Sequence, residues 1–393
     1  MLQLAQQAAT QQNWSQVTQA LRHCTARLER ASSDEQEQAL ELALDALFWG
    51  DFQDRWELIK VLPYLGMPAF KALERLLLDE GMTFEIRWFA ARMLGAFQDP
   101  IAVSPLVNCL RTASDPEVIQ VAALALASLG EVAIAPLTVA LADPEQCAMA
   151  LQALTQIHHA AIIDPLLTVV AHPDPHLRAL VIEALSNFQQ PRLVPVLITA
   201  LQDTAAAVRK EAVIGLGLWA TTGRSSVPLF EVLQPCLWDL HLEVCQQAAI
   251  ALGRLGSPEA VTALSDLVQT ATTPPPLQRE AIRALGRIET RQMVDAVQGM
   301  LPTVTPESQV EIIQVLGRLE TAELKQLATQ VLLGFFETTA PAPLSLRVLK
   351  ELTQAWARLQ SPIALDALEQ LAESEVATIR LHAIAAMKQL KAD

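Results

Sequence analysis

The stretch VRKEAVIGLG at residues 208–217 decides the fold, because close copies of it recur along the chain. VCQQAAIALG occupies residues 244–253, and LQREAIRALG occupies residues 277–286. With Arg209 as the reference position, eleven copies can be aligned at intervals of about 32 residues. Self-similarity at a fixed period of this length is typical of solenoids built from stacked repeats.

The copies preserve one face of a helix. We call the equivalents of Arg209 the anchors: Arg55, Arg87, Ile119, Cys147, Arg178, Arg209, Cys245, Gln278, Gln309, Leu349 and Arg380. Seven positions after them come Leu62, Leu94, Leu126, Leu154, Leu185, Leu216, Leu252, Leu285, Leu316, Trp356 and Met387. Three positions after most anchors the residue is Ala. Because both offsets fall on one helical face, we expect Ala to permit close approach of a neighbouring helix and Leu to fill the interface.

A second apolar segment precedes each copy, as PLLTVVAH does at 165–172 and PVLITALQ at 195–202. The two segments are often linked by Asp-Pro, a pair that favours a helix start: Asp115-Pro116, Asp143-Pro144 and Asp174-Pro175. A hairpin of this kind cannot bury its apolar face alone, so it must stack on its neighbours. The sequence therefore predicts an all-α protein, an α-solenoid of about eleven antiparallel helical hairpins wound into a superhelix.

The first residues do not fit the repeat. Residues 1–35 are rich in Gln, with Trp14, Val17 and Leu21 at helical spacing. Because the end of a solenoid needs a polar outer side, we interpret residues 1–35 as an N-terminal helical cap. Residues 36–393 are then predicted to form one continuous repeat domain.

The pattern and length of the repeat resemble the HEAT repeat, an armadillo-like fold. The short, Ala- and Leu-rich form, with its Asp-Pro, Val-Arg and Ala-Leu-Gly landmarks, is similar to the phycobilisome-lyase HEAT-like family. The resemblance covers residues 36–393, and its landmarks are packing and capping residues. It implies a cyanobacterial protein, with light-harvesting antenna proteins (phycobiliproteins) or their assembly machinery as partners.

Composition narrows the function further. The net charge of −15 opposes binding to nucleic acids and to anionic membranes, and it favours basic or mixed-charge protein partners. We expect no membrane span, since we expect no apolar stretch to reach the length needed to cross a bilayer. The N-terminal LQLAQQAATQQ lacks the basic region and the cleavage pattern of a signal peptide. Five scattered cysteines fit a reducing compartment. The expected location is the cytoplasm.

The candidate partner-binding residues lie in two copies that are in phase, RWELIK at 55–60 and RWFAAR at 87–92. They are Arg55, Trp56, Glu57, Arg87, Trp88 and Arg92. In several other copies the position after the anchor is polar, so Trp56 and Trp88 are expected to face solvent as an aromatic ladder flanked by arginines; these polar residues are Gln120, Lys210, Gln246, Arg279 and Lys350. Trp and Arg are typical of binding hot spots. The alternative is that both indoles fold back onto the hydrophobic core.

Chemistry-bearing motifs are sparse. Cys236, His241 and Cys245 lie close in sequence and are suitable zinc ligands, but their spacing matches no strong motif and a fourth ligand is not evident. Cys245 is also an anchor, where its size alone can explain it. No Walker A loop, Rossmann fingerprint, GxSxG or HExxH is present. We therefore expect no metal. The sequence does not allow any catalytic residue to be named.

Two functions remain. The first is a non-catalytic scaffold or assembly factor, without a cofactor, that binds proteins on the concave surface of the solenoid; the resemblance implies photosynthetic antenna proteins as its partners. The second, implied by the resemblance, is a bilin lyase or isomerase that attaches an open-chain tetrapyrrole to a cysteine of an antenna subunit. In that case Arg55, Arg87 and Arg92 would hold the pigment's propionates beside Trp56 and Trp88.

Overall fold

Helices and turns make up the whole of the described chain. The computed structural model describes residues 2–28, 31–222, 228–339 and 344–390, and within these ranges no strand occurs. This confirms the predicted all-α, α-solenoid class. Two compact units divide the chain, Met1–Ala184 and Leu185–Asp393.

The helices that begin in the first unit are α1 (Leu2–Thr10), α2 (Trp14–Arg22), α3 (Thr25–Leu28), α4 (Ser33–Trp49), α5 (Phe52–Leu58), α6 (Gly66–Leu78), α7 (Phe84–Ala96), α8 (Val103–Thr112), α9 (Pro116–Leu129), α10 (Ile134–Leu141), α11 (Cys147–Thr155), α12 (Ile163–Thr168) and α13 (Pro175–Ser186). Those of the second unit are α14 (Val194–Ala200), α15 (Ala206–Ala220), α16 (Leu229–Leu233), α17 (Leu242–Leu255), α18 (Pro258–Gln269), α19 (Pro275–Gly286), α20 (Arg291–Met300), α21 (Pro306–Leu316), α22 (Ala322–Thr339), α23 (Leu346–Leu359), α24 (Leu365–Ala372) and α25 (Ala377–Leu390). Short 3-10 turns lie at Leu62–Leu65, Pro100–Ala102, Gly130–Ala133, Ala160–Ile162, Pro191–Leu193, Gln234–Trp238 and Pro362–Ala364.

From α4 onward the helices alternate as the first and second members of hairpins. Every anchor falls in the first turn of a second helix, at the fourth residue in each except α11, which begins at Cys147. Within the first unit α5, α7, α9 and α11 pack in succession, and within the second unit α15, α17, α19, α21, α23 and α25 do the same. The register read from the sequence is therefore the register of the fold.

The residues seven positions after the anchors form the core. From Leu62 to Trp356 all ten have no exposed surface, and only Met387, in the last hairpin, is partly exposed. The alanines three positions after the anchors are equally buried: Ala90, Ala122, Ala150, Ala212, Ala248, Ala281 and Ala383. Burial of this apolar surface is the main stabilising term of the stack.

Glycine eight positions after the anchor sets the spacing of neighbouring second helices. A Cβ on Gly217 of α15 would lie 2.8 Å from the Cβ of Ala251 in α17. The equivalent Gly95 of α7 stands in the same relation to Ala125 of α9, at 2.8 Å. Because real side chains do not approach so closely, only glycine permits this packing.

Anchor side chains of different types, Arg and Gln, make the same kind of contact: each donates a hydrogen bond to backbone carbonyls near the end of the preceding helix. In the second unit Arg209 donates to the carbonyls of Asp203 and Thr204, at 2.8 and 3.1 Å. The side-chain amides of Gln278 and Gln309 donate to carbonyls at the ends of α18 and α20. Last-turn carbonyls of a helix lack partners within the helix, so a donor one loop away stabilises the hairpin.

Two of the three Asp-Pro pairs cap helices as predicted. The carboxylates of Asp115 and Asp174 accept backbone N–H groups in the first turns of α9 and α13. The prediction is wrong for Asp143, since α11 begins four residues later, at Cys147. The carboxylate of Asp143 instead accepts the N–H of Glu145 within a turn.

One apolar segment is long enough to span a membrane, contrary to the expectation from the sequence. Residues Pro116–Leu141 pass this test by length and composition. In the structure the segment is not one helix, because Gly130 has a φ of 69° and a 3-10 turn separates α9 from α10. The two helices belong to successive hairpins, and Leu126 and Leu137 lie in the core, whereas Leu124 and Val139 are exposed.

The N-terminal residues are helical and pack on the first hairpin. Helix α2 contacts both α4 and α5. The Ser15 hydroxyl donates to the buried carboxylate of Asp54, at 2.8 Å, and Arg22 pairs with Glu57. The boundary of a cap at residue 35 and the continuity of residues 36–393 stay predictions.

Candidate partner-binding surface

Four aromatic rings connect α5 to α7. The ring of Trp56 stacks on Phe52, with centroids 5.9 Å apart. Phe52 meets Phe89 at 5.5 Å, and Phe89 meets Trp88 at 5.0 Å, both edge-on. The two indoles singled out from the sequence are thus brought into one cluster through two phenylalanines, and each is half-buried.

Arg92 adds a positive charge to this aromatic cluster. Its guanidinium carbon lies 5.9 Å from the centre of the Trp56 ring, within the range of a cation–π interaction. Phe52 is 63% exposed whereas Phe89 is 2% exposed, so the cluster runs from the core to the surface. A rigid aromatic surface with an adjacent guanidinium is typical of binding hot spots.

The turn between α4 and α5 extends this surface. Phe48, Trp49 and Phe52 follow one another along it with exposures of 38%, 72% and 63%. Trp49 also lines a recess of about 400 Å³ together with Trp14 and Asp45. Exposed aromatic residues at this density mark an interaction surface more often than a solvated turn.

Arg55 and Arg87 are occupied by the anchor role. The Nε of Arg55 donates to the Leu47 carbonyl at 2.9 Å, and its Nη2 donates to the Phe48 carbonyl at 3.3 Å. Arg87 is buried, and its Nε donates to the Leu77 carbonyl at 3.0 Å. Both arginines therefore close hairpins, and of the three predicted arginines Arg92 is the one that faces the aromatic cluster.

Glu57 is held by cations of this chain. Its carboxylate lies 3.0 Å from the Lys60 ammonium and 2.8 Å from the Arg22 guanidinium. The hydrogen bond from Lys60, together with the charge of Arg22, lowers the pKa of this carboxyl despite some desolvation. Glu57 therefore joins α2 to α5.

Acidic residues equivalent to Glu57 behave alike in the second unit. Glu211, Glu280 and Glu311 each lie within 3.5 Å of a Lys or Arg nitrogen, and their side chains are 17–18% exposed. These three carboxylates are thus mostly covered. Their periodic recurrence follows from the packing of second helices and not from a catalytic arrangement.

Cys236, His241 and Cys245 are gathered around Asp239. The Cys245 thiol donates to the Asp239 carbonyl at 3.2 Å, and the backbone N–H of His241 donates to the Asp239 carboxylate at 2.8 Å. Burial raises the pKa of Cys236 to about 11 and also raises that of Cys245. Their contacts explain these residues as part of one loop, and we assign no metal to them.

The model of HEAT repeats matches residues 26–127, 133–217 and 194–275, which together exceed half of the sequence. The chain belongs to the HEAT-repeat family. No curated protein matches the sequence.

Solved structures similar to this HEAT-repeat protein include karyopherins. Kap121p, bound to the extreme C-terminus of the protein phosphatase Cdc14p, has a TM-score of 0.62 at 14% identity, covering 98% of this chain and 49% of Kap121p. Importin beta has a TM-score of 0.54 at 13% identity, covering 96% of this chain and 62% of importin beta. The HEAT-repeat chain thus spans about half the length of Kap121p, and at these identities the similarity shows the fold alone.

Charge is distributed unevenly along this HEAT-repeat protein. Residues 1–184 contain 11 Lys and Arg against 22 Asp and Glu, whereas residues 185–393 contain 17 against 21. The aromatic cluster therefore lies in the strongly acidic part of the chain. A basic partner would be attracted to it at long range.

Sequence reasoning missed Phe52 and Phe89, although a signal for Phe52 was present. Phe52 and Phe84 occupy the position three residues before the anchor, where Pro116, Pro175 and Pro275 stand in other repeats. Phe in place of Pro in two neighbouring repeats is not required by the packing of the repeat, and it therefore indicates another role for these residues. Phe84 is also exposed, at 39%.

Proposed function

We propose that this HEAT-repeat protein is a non-catalytic scaffold that binds a protein partner through the aromatic surface of α5 and α7. The observation that supports it most directly is the contact chain from Trp56 through Phe52 and Phe89 to Trp88, with Arg92 over the first ring. The partner we propose carries basic residues, because residues 1–184 have twice as many acidic as basic side chains.

Bilin attachment is less well supported by the geometry. A bilin lyase would need arginines available for the pigment's propionates, and Arg55 and Arg87 are bonded to carbonyls of α4 and α6. The matched HEAT-repeat model does not single out the phycobilisome-lyase subfamily. Phycobiliproteins are therefore the first partners to test, on the basis of the sequence resemblance, as binding partners and not as substrates.

The proposed location is the cytoplasm. All five cysteines are free thiols, four of them buried, which fits a reducing compartment.

Binding is tested by substitutions that alter the surface without removing core. Three proteins are used as bait in a lysate of a phycobilisome-containing bacterium: the wild type, a Phe52→Ser/Arg92→Glu variant and an Ile101→Ser control. Ile101 is an apolar residue of the same unit with 44% exposure. We expect a protein retained by the wild type and the control, with affinity reduced roughly tenfold or more for the cluster variant. Equal retention by all three baits would contradict the proposed surface.

Catalysis is tested separately. The chain is co-expressed with a bilin and phycobiliprotein subunits, and the subunits are examined for covalent pigment on a denaturing gel. A scaffold leaves the amount of covalent pigment unchanged. Pigment attachment that depends on this chain would overturn the non-catalytic assignment.

A further inference from the structure

The turn that leads into α17 exposes three large apolar side chains. Trp238, Leu240 and Leu242 are 59%, 97% and 38% exposed. Among the described residues of the second unit seven large apolar side chains are exposed to this degree, and three of them lie within these five positions. We name residues 238–242 the apolar turn.

Hydrogen bonds to Asp239 and buried flanking residues hold the apolar turn in place. The carboxylate of Asp239 receives two hydrogen bonds from Arg209, at 2.7 and 2.8 Å, and both side chains are at most 14% exposed. The Cys245 thiol donates to the Asp239 carbonyl. Leu237 and Val244, on either side of the turn, are 2% and 1% exposed. The exposed residues thus project from a turn that is held by the ion pair of Asp239 and by the buried Leu237 and Val244 on either side.

Arg209 also connects this turn to the preceding hairpin. The same guanidinium that holds Asp239 donates to the carbonyls of Asp203 and Thr204, between α14 and α15. The turns within two successive hairpins, α14–α15 and α16–α17, therefore share the guanidinium of Arg209. A surface fixed in this way loses little conformational freedom when it binds, which increases the affinity available from a small apolar contact.

The charge beside the apolar turn indicates what covers it. Glu243 follows directly, its side chain is 78% exposed, and the Lys210 ammonium lies 3.9 Å from its carboxylate. Exposed leucines beside an exposed carboxylate match a peptide segment that carries a bulky apolar residue next to Lys or Arg. An anionic membrane surface would be repelled by Glu243.

We propose that the apolar turn, with Glu243, is a second docking surface of this protein, and that its occupant is a protein segment with an apolar residue next to a basic one. The surface lies in residues 185–393, whereas the cluster of α5 and α7 lies in residues 1–184. Variants of one surface therefore leave the other intact, and either proposal can fail while the other holds.

The probe is a library of displayed short peptides, selected on the purified full-length protein and counter-selected on its Leu240→Ser variant. Enriched peptides are expected to combine a large apolar residue with Lys or Arg. Their affinities are then measured by fluorescence anisotropy. Failure to enrich any peptide that distinguishes the two proteins would overturn the proposal.

Four variants define the contact. Leu240→Ser and Trp238→Ala are expected to weaken binding roughly tenfold or more. Glu243→Lys is expected to weaken binding several-fold and to reduce its sensitivity to salt. Ile363→Ser, which removes a 51%-exposed apolar residue elsewhere in the second unit, should change nothing. Equal effects of Ile363→Ser and Leu240→Ser would contradict the assignment.

Two other occupants are distinguished with the same proteins. Sedimentation with vesicles of phosphatidylcholine and phosphatidylserine tests a membrane, and analytical ultracentrifugation tests a second copy of the chain. We expect neither vesicle binding nor self-association to depend on Leu240. If either is abolished by Leu240→Ser, the turn serves that contact and the proposed peptide partner is wrong.

Discussion

Gly217 has no side chain because α15 and α17 run too close together to leave space for one. A Cβ there would lie 2.8 Å from the Cβ and 3.1 Å from the Cα of Ala251. Gly299, in α20, is also helical but has no neighbour within 4 Å of the equivalent position. The two glycines therefore separate the packing effect from the intrinsic effect of Gly in a helix.

Gly217→Ala is expected to destabilise the protein by about 1–3 kcal/mol, the usual effect of overpacking a core. Gly299→Ala is expected to stabilise it by about 0.5–1 kcal/mol, since Ala is the better helix former. Urea unfolding of the two variants measures both. A Gly217→Ala protein as stable as the wild type would mean that α15 and α17 are further apart than the structure has them.

At this scale the sequence predicts what is buried better than what a polar residue does. Leu216 and Ala212 recur at fixed offsets, and periodic apolar residues can only be explained by a shared interface. The residue type of Arg55 and Arg87 predicts partner binding, and it does not reveal the backbone contacts that the structure shows for them. Their acceptors are carbonyls eight and ten residues earlier. Only the folded hairpin brings these groups together, although Gln at the same position in other repeats hinted at a shared donor.

Among the structural elements, the turn between α16 and α17 shows how one ion pair fixes a loop. The hydrogen bonds from Arg209 lower the pKa of the Asp239 carboxyl, and the backbone N–H of His241 adds to the effect. A carboxyl whose pKa is lower in the folded state than its ordinary value of 3.8 stabilises the fold above that value. This stabilisation is lost as the pH falls through the lower, folded-state pKa.

Asp239→Asn is therefore expected to reduce stability by about 1–3 kcal/mol at neutral pH, because charged hydrogen bonds to Arg209 are lost. The difference from the wild type should shrink as the pH falls below about 4, because the unfolded wild type then takes up a proton at Asp239 while the folded protein does so only at a lower pH. Chemical unfolding across this pH range measures both effects. A difference that stays constant down to the acid limit would show that Asp239 acts by shape and not by charge.

Helix boundaries are where prediction from the sequence fell short. The repeat pattern continues through Leu62, yet α5 ends at Leu58 and Leu62 is buried from the 3-10 turn that follows. Asp143-Pro144 looks like a helix start but is followed by a further turn before α11. In both places the apolar residue reaches the core without a regular helix, because burial of the side chain dominates over local helix signals.

For the whole molecule, the pattern of contacts determines how damage spreads. Within each unit, neighbouring second helices pack on one another, as α7 does on α9 in the first and α15 on α17 in the second. Stability in such a stack is close to a sum of local terms between neighbours. Loss of one interface should therefore loosen the adjacent hairpins and leave distant ones protected.

Leu216→Ala in α15 and Leu94→Ala in α7 make a matched pair, since both leucines have no exposed surface and occupy the same repeat position. Each should lower stability by about 2–5 kcal/mol through the cavity it leaves. Hydrogen exchange followed by mass spectrometry should show faster exchange in α15 and α17 for the first variant, and in α7 and α9 for the second.

If either substitution accelerated exchange equally throughout residues 2–390, the protein would unfold as one cooperative block. The separate action of the aromatic cluster and the apolar turn depends on the local result, because only local coupling lets one surface be altered while the other keeps its structure.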